Sequence, residues 1–98
     1  MNQIKKTKII ATIGPATESH NMITSLIQSG VNIFRFNMKH NVPDWHLERI
    51  KRVTDIAKSL GQNIGILIDL QGPEIRISTD NKDVALGENE NFILTSLY

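Results

Sequence analysis

An α/β fold with a parallel sheet is the architecture that this 98-residue sequence predicts, on three observations. Three short runs of branched apolar residues alternate with two stretches of helical periodicity, and the links between them are short. Each apolar run also closes, at the same end, on groups that hydrogen bond or carry charge: Thr12, then Arg35 and Asn37, then Asp69. Parallel strands joined by right-handed crossovers gather those ends at one rim, where loops hold chemistry while the opposite rim holds stability.

Residues 7–13 form the first expected strand, rich in branched side chains and stopped by Gly14-Pro15. A helix follows, with Thr17 or Ser19 able to cap it and Met22, Ile23, Leu26 and Ile27 on one face. Gly30 stands where a left-handed C-terminal residue is wanted. Residues 31–37 are the second strand. Pro43 and Asp44 then open a longer helix in which His46, Ile50, Val53, Ala57 and Leu60 recur at spacings of three and four, and Gly61 ends it. Its charged face of Glu48, Lys51, Arg52, Asp55 and Lys58 reads as solvation, with weak Glu48–Arg52 and Asp55–Arg52 pairs. Residues 64–70 are the third strand.

After Gln71-Gly72-Pro73 the helical pattern stops. Ile75 and Ile77 alternate with Glu74, Arg76 and Ser78 as in a half-exposed strand, Thr79 to Asp83 is turn chemistry, and Phe92, Leu94 and Ser96 begin another strand. A boundary near Pro73 between an α/β domain, residues 1–72, and the start of a β domain, residues 73–98, is therefore expected.

Apolar residues make up 40% of the chain and the formal net charge is +1, which gives no reason to expect a nucleic acid or an anionic membrane as partner. With no cysteine there is no disulfide framework, which suits a reducing compartment, and a cytoplasmic location is the expectation. The polar start, with Lys5, Lys6 and Lys8, reads as a solvated lead-in, and the apolar stretch after it is too short for a signal-peptide core or a membrane span.

Residues two apart on a strand share a face, so Arg35 and Asn37 point together while Phe34 and Phe36 point the other way, under the helices. Asp69 and Thr12 join the polar side, and Lys39 continues it if the chain stays extended. An arginine fork suits phosphate or carboxylate, and an amide beside a carboxylate suits a hard cation. Taken singly, an Arg or Asp at a strand end is more often a loop ion pair than part of a site; their joint placement at one rim favours an anionic ligand held beside a cation. His20, His46 and Trp45 read as surface or packing residues, and His40 is the one histidine placed for a ligand contact.

Three blocks of this sequence are similar to the N-terminal part of the pyruvate kinase family, in the same order and with similar spacing. They are Thr7-Lys8-Ile9-Ile10-Ala11-Thr12-Ile13-Gly14-Pro15-Ala16, Phe34-Arg35-Phe36-Asn37-Met38-Lys39-His40 and Leu67-Ile68-Asp69-Leu70-Gln71-Gly72-Pro73-Glu74-Ile75-Arg76. The resemblance implies a partial TIM (β/α)8 barrel, its first three strands and two helices, followed by the start of an inserted β domain. It implies phosphoryl transfer from phosphoenolpyruvate to ADP with Mg2+, whose ligands lie outside this chain, and commonly K+. It further implies a homo-oligomer when complete. Eight strands and ~250 residues make such a barrel, so the chain is expected to be an N-terminal fragment inactive alone.

Position by position, Arg35 resembles the arginine that binds the substrate phosphoryl group, and Asn37 and Asp69 resemble side-chain ligands of potassium. Leu70 stands where the family offers that ion a backbone carbonyl. Thr12, Asn37, His40 and Arg76 resemble members of the nucleotide and phosphate environment, and no catalytic group beyond Arg35 is expected within the chain. One position departs. The family usually has serine where this chain has Lys39, so the ammonium, near Asp69 or paired with Glu74, is expected to replace K+; the alternative is that Lys39 turns outward and the ion site is merely weakened. The rival readings are an aldolase or other barrel enzyme acting on pyruvate or phosphoenolpyruvate, which would not need the β insertion, and a non-catalytic phosphate-binding module.

Overall fold

The computed structural model describes residues 4–79 and 82–96. Its elements run β1 (Ile10–Thr12), α1 (His20–Ser29), β2 (Ile33–Asn37), α2 (Pro43–Ser59) and β3 (Gly65–Asp69). The strands pair in the order β1-β2-β3, all parallel, with Ile10 opposite Ile33, Arg35 opposite Leu67 and Asn37 opposite Asp69. This is the alternating α/β arrangement expected.

Local chemistry explains each boundary. The Ser19 hydroxyl accepts from the Met22 N–H at 3.2 Å and caps α1. Thr17, the other candidate cap, instead folds the β1–α1 loop: its hydroxyl accepts from the Gly14 N–H and donates to the Thr12 carbonyl, both at 2.8 Å. Gly30 ends α1 at φ 112°, and the N–H groups of Gly30 and Val31 return to the carbonyls of Ile27 and Leu26. That bond uses Val31, and the Asn32 side chain takes the Ile9 N–H at 3.0 Å. β2 therefore begins only at Ile33, and β1 and β3 are likewise shorter than the apolar runs 7–13 and 64–70. Lys5, expected to be merely solvated, donates its ammonium to the Gly30 carbonyl and so complements the C-terminal end of α1.

The core lies between the sheet and its two helices. Phe34 and Phe36 are fully buried there, with Ile23 and Ile27 from α1 and Val53, Ile56 and Ala57 from α2. The opposite face carries Ile33 and Leu67, partly exposed, and Ile10, more than half exposed. On β3 the helix-side residues Ile66 and Ile68 are also exposed.

Residues 70–79 and 82–96 contain no strand, so the strands expected around Ile75 and from Phe92 are not formed. Alternation sets how a strand would face, but a strand also needs a hydrogen-bonded neighbour, and an isolated pair is marginal in water. One turn forms where expected, Lys82 N–H reaching the Thr79 carbonyl at 3.0 Å, and Gly87 and Glu90 close another. Asp80, Asn81, Leu97 and Tyr98 lie outside the described residues.

Asn41, in the β2–α2 loop, has φ 62°. Asparagine tolerates this left-handed conformation and a β-branched residue does not. Asn41→Val is expected to lower stability by about 1–2 kcal/mol, whereas Asn41→Gly is near neutral, as read from paired urea denaturation midpoints.

Candidate functional site

The C-terminal ends of the three strands meet at Arg35. Its Nε donates to Asp69 Oδ2 at 3.0 Å, its Nη2 donates to the same oxygen, and its Nη1 lies 3.4 Å from the Thr12 hydroxyl. One side chain thus spans β1, β2 and β3. The reason is register: Thr12 is opposite Arg35, and Asp69 lies two residues past Leu67, Arg35's partner on β3, on the same face of the sheet. Arg35 and Asp69 are 36% and 37% exposed, so the pair sits at the rim, open to solvent.

Asn37 turns the chain out of β2. Its side-chain oxygen accepts the Lys39 N–H at 3.1 Å, its carbonyl accepts the His40 N–H at 3.2 Å, and Met38 N–H extends the ladder to the Asp69 carbonyl at 3.1 Å. His40 is exposed at the tip of this loop. Its carbonyl accepts a hydrogen bond from His46 Nε2 at 2.5 Å. His46 is 2% exposed and lies edge-on to the rings of Phe36 and Trp45. Because a carbonyl can only accept, His46 carries its proton on Nε2. It was legible as a packing residue; its second task, anchoring the loop that bears Lys39, was not.

The Lys39 ammonium meets Glu74 Oε1 at 2.7 Å, which selects one of its two expected partners. Asp69 is held by Arg35 instead. Glu74 also accepts from Gln71 Nε2 at 3.0 Å, and its other oxygen meets Arg76 Nη2 at 2.8 Å. Arg76 is thus tied to Glu74 rather than to Arg35 and Thr12. Leu70, just past β3, is exposed.

Hydrogen bonding from Arg76, then from Lys39, pulls the Glu74 carboxyl from its usual 4.5 down to about 2, and the Arg76 guanidinium is correspondingly held more firmly protonated. A depressed carboxyl contributes stability above its unfolded value and loses it as pH falls through the folded one, so this cluster should open between about pH 4.5 and 2. Carbon-13 titration of Glu74 is expected to give a midpoint near 2, and Arg76→Gln to raise it more than Lys39→Ser does.

A second charged cluster joins the two helices. Arg49, stacked 4.2 Å over the Trp45 ring, reaches Glu18 at 3.4 Å, and Arg52 donates to the Glu18 carbonyl. These side chains clamp α2 to the start of α1. The Glu48–Arg52 pair forms at 3.5 Å, but Asp55 pairs with Lys51 at 2.6 Å, not with Arg52. The helical spacing was visible, whereas the partner of Arg49 lies 31 positions away and could not be read locally.

Among the described residues, no group of three or more His, Cys, Asp or Glu side chains could hold a metal ion, and no helix is long and apolar enough to cross a membrane.

Parallel strands alternating with helices, and bringing an arginine, a carboxylate, an amide and a hydroxyl to one rim, define an α/β chain of the barrel-enzyme type. The sequence matches the family description "Pyruvate kinase, barrel domain" over residues 4–97. The chain belongs to the pyruvate kinase family. It is 46% identical over 95 residues to a pyruvate kinase of Buchnera aphidicola subsp. Baizongia pistaciae, covering 96% of this chain and 20% of that protein. It is 45% identical over 94 residues to one of Haemophilus influenzae, covering 94% and 20%, and 42% identical over 93 residues to one of Bacillus licheniformis, covering 94% and 16%. The chain therefore spans between about a sixth and a fifth of the length of these relatives.

Proposed function

We propose that the protein carrying this chain transfers the phosphoryl group of phosphoenolpyruvate to ADP, forming pyruvate and ATP, and that this chain supplies one wall of the substrate site. The observation that carries the reading is Arg35, held between Thr12 and Asp69 at the C-terminal mouth of the sheet and still partly exposed. A transferring phosphoryl group spreads negative charge over its oxygens, so a fixed cation aimed at them lowers the barrier by electrostatics. In this reading Asp69 and Thr12 orient the guanidinium, leaving its outer edge for the anion. Thr12, Asn37, His40 and Arg76 belong to the surrounding nucleotide and phosphate environment.

The family's Mg2+ would be held by groups outside this chain. Among the described residues the sheet has three strands and both its edges are unpaired, which supports a segment that needs further strands before it can catalyse. We further propose a boundary near Pro73, with residues 73–98 opening an inserted β domain; that helices and strands end at Asp69 among the described residues supports the boundary alone. A cytoplasmic homo-oligomer is the setting we propose for the complete enzyme.

The test is a coupled assay of the intact protein with phosphoenolpyruvate and ADP. Stoichiometric pyruvate and ATP are expected; pyruvate released without ATP, or aldol cleavage of a longer keto acid, would overturn the assignment.

A further inference from the structure

We propose that the monovalent-cation site implied by the family resemblance has been replaced in this chain by an internal ion-pair network, with the Lys39 ammonium supplying the positive charge and no free ion bound between Asn37 and Asp69. This rests on the family reading above. It differs from a simple Lys39–Asp69 exchange because the structure assigns each charge a different partner.

Acceptors come first. A hard cation needs several oxygens converging on one point. Here the Asn37 side-chain oxygen is turned onto the Lys39 N–H at 3.1 Å, and one Asp69 oxygen takes two bonds from Arg35. The Asp69 backbone carbonyl is likewise occupied, by Met38 N–H at 3.1 Å. These oxygens point at the protein's own donors, so the residues present do not fit the ion.

Charge is the second argument. The rim holds three cationic side chains, Arg35, Lys39 and Arg76, against two carboxylates, Asp69 and Glu74, and every one of the five is in an ion pair. The local sum is already +1, so a further cation would enter a site with no uncompensated negative charge.

Geometry is the third. Lys39 follows β2 and Glu74 follows β3, and their 2.7 Å contact closes the gap between the two loops flanking the Asn37 and Asp69 strand ends. A tethered ammonium holds that gap without the entropic cost of recruiting a free ion. The Asn37 turn and the His46 bond to the His40 carbonyl fix the stem from which Lys39 reaches.

The experiment is titration of the intact protein with thallium(I) nitrate, a potassium surrogate, in tetramethylammonium nitrate, followed by calorimetry and by melting midpoint. The native protein is expected to show no saturable heat and the same midpoint in potassium as in tetramethylammonium. Lys39→Ser is expected to gain one saturable thallium site and a midpoint that rises with potassium. One saturable site in the native protein overturns the proposal. So does a Lys39→Ser protein that keeps its helical circular dichroism yet binds no thallium, since Lys39 would then not be the displacing group; Lys39→Gln replaces it if the serine variant misfolds. In parallel, turnover of the native protein should be equal in the two salts, and Lys39→Ser should lose about tenfold in tetramethylammonium and recover it in potassium. The thallium readout does not depend on the reaction, so failure of the phosphoryl-transfer assignment would be seen separately in the pyruvate and ATP assay.

Discussion

Arg35→Met is expected to lower kcat/KM for phosphoenolpyruvate by about 10³-fold, the scale on which arginines contribute to phosphoryl transfer. The side chain is placed for this: it crosses all three strands, contacts Thr12 and Asp69, and keeps an exposed edge at the mouth. Arg35→Lys should also be severely impaired, because a point charge cannot bond Asp69 and face an anion with one planar fork. Stability should change little, by about 1 kcal/mol or less, since both partners are more than a third exposed and water screens the pair. Steady-state kinetics beside urea denaturation separates the two effects. A variant with normal kinetics would remove Arg35 from the substrate site, and one that loses stability in proportion to activity would make it a structural ion pair.

Phe36→Ala is expected to cost about 3–5 kcal/mol, a large part of the 5–15 kcal/mol by which domains are usually stable. Phe36 is fully buried, packs edge-on at 6.2 Å from the His46 ring and lies on the strand that carries Arg35 and Asn37. Neighbours on both helices cannot collapse into the space it leaves, because each is anchored in its own helix. Ile10→Ala, on the opposite face and 52% exposed, should cost about 1 kcal/mol or less. Denaturant midpoints with unchanged slopes would confirm that the difference lies in the native core. Equal effects at the two positions would mean that the open face is covered in the intact protein as thoroughly as the helix face.

The contrast between these positions was available from strand parity alone. Phe34 and Phe36 go under the helices and Arg35 and Asn37 go to the other side because successive strand residues alternate, whatever the rest of the chain does. The caps were as local: Ser19, Gly30, Pro43 and Gly61 act through their own backbone and immediate neighbours. Thr17 was a harder case, since one hydroxyl can cap a helix or fold a loop, and only the position of the Thr12 carbonyl selects between them. The expected strands beyond Pro73 failed for a different reason. Their alternation describes a surface, and nothing in that segment's own spacing specifies the neighbour against which the surface would pair.

Order of elements, direction of strands, the two faces of the sheet and the rim that gathers polar groups were determined by the sequence, because each depends on periodicities and turns a few residues long. The tertiary structure decided who partners whom: Arg35 with Asp69, Lys39 with Glu74, Arg49 with Glu18, and His46 with a loop carbonyl. Charge attraction has no periodicity and acts between whatever groups the packed strands bring within a few ångströms, so identical side chains remain ambiguous until helices and sheet set the distances.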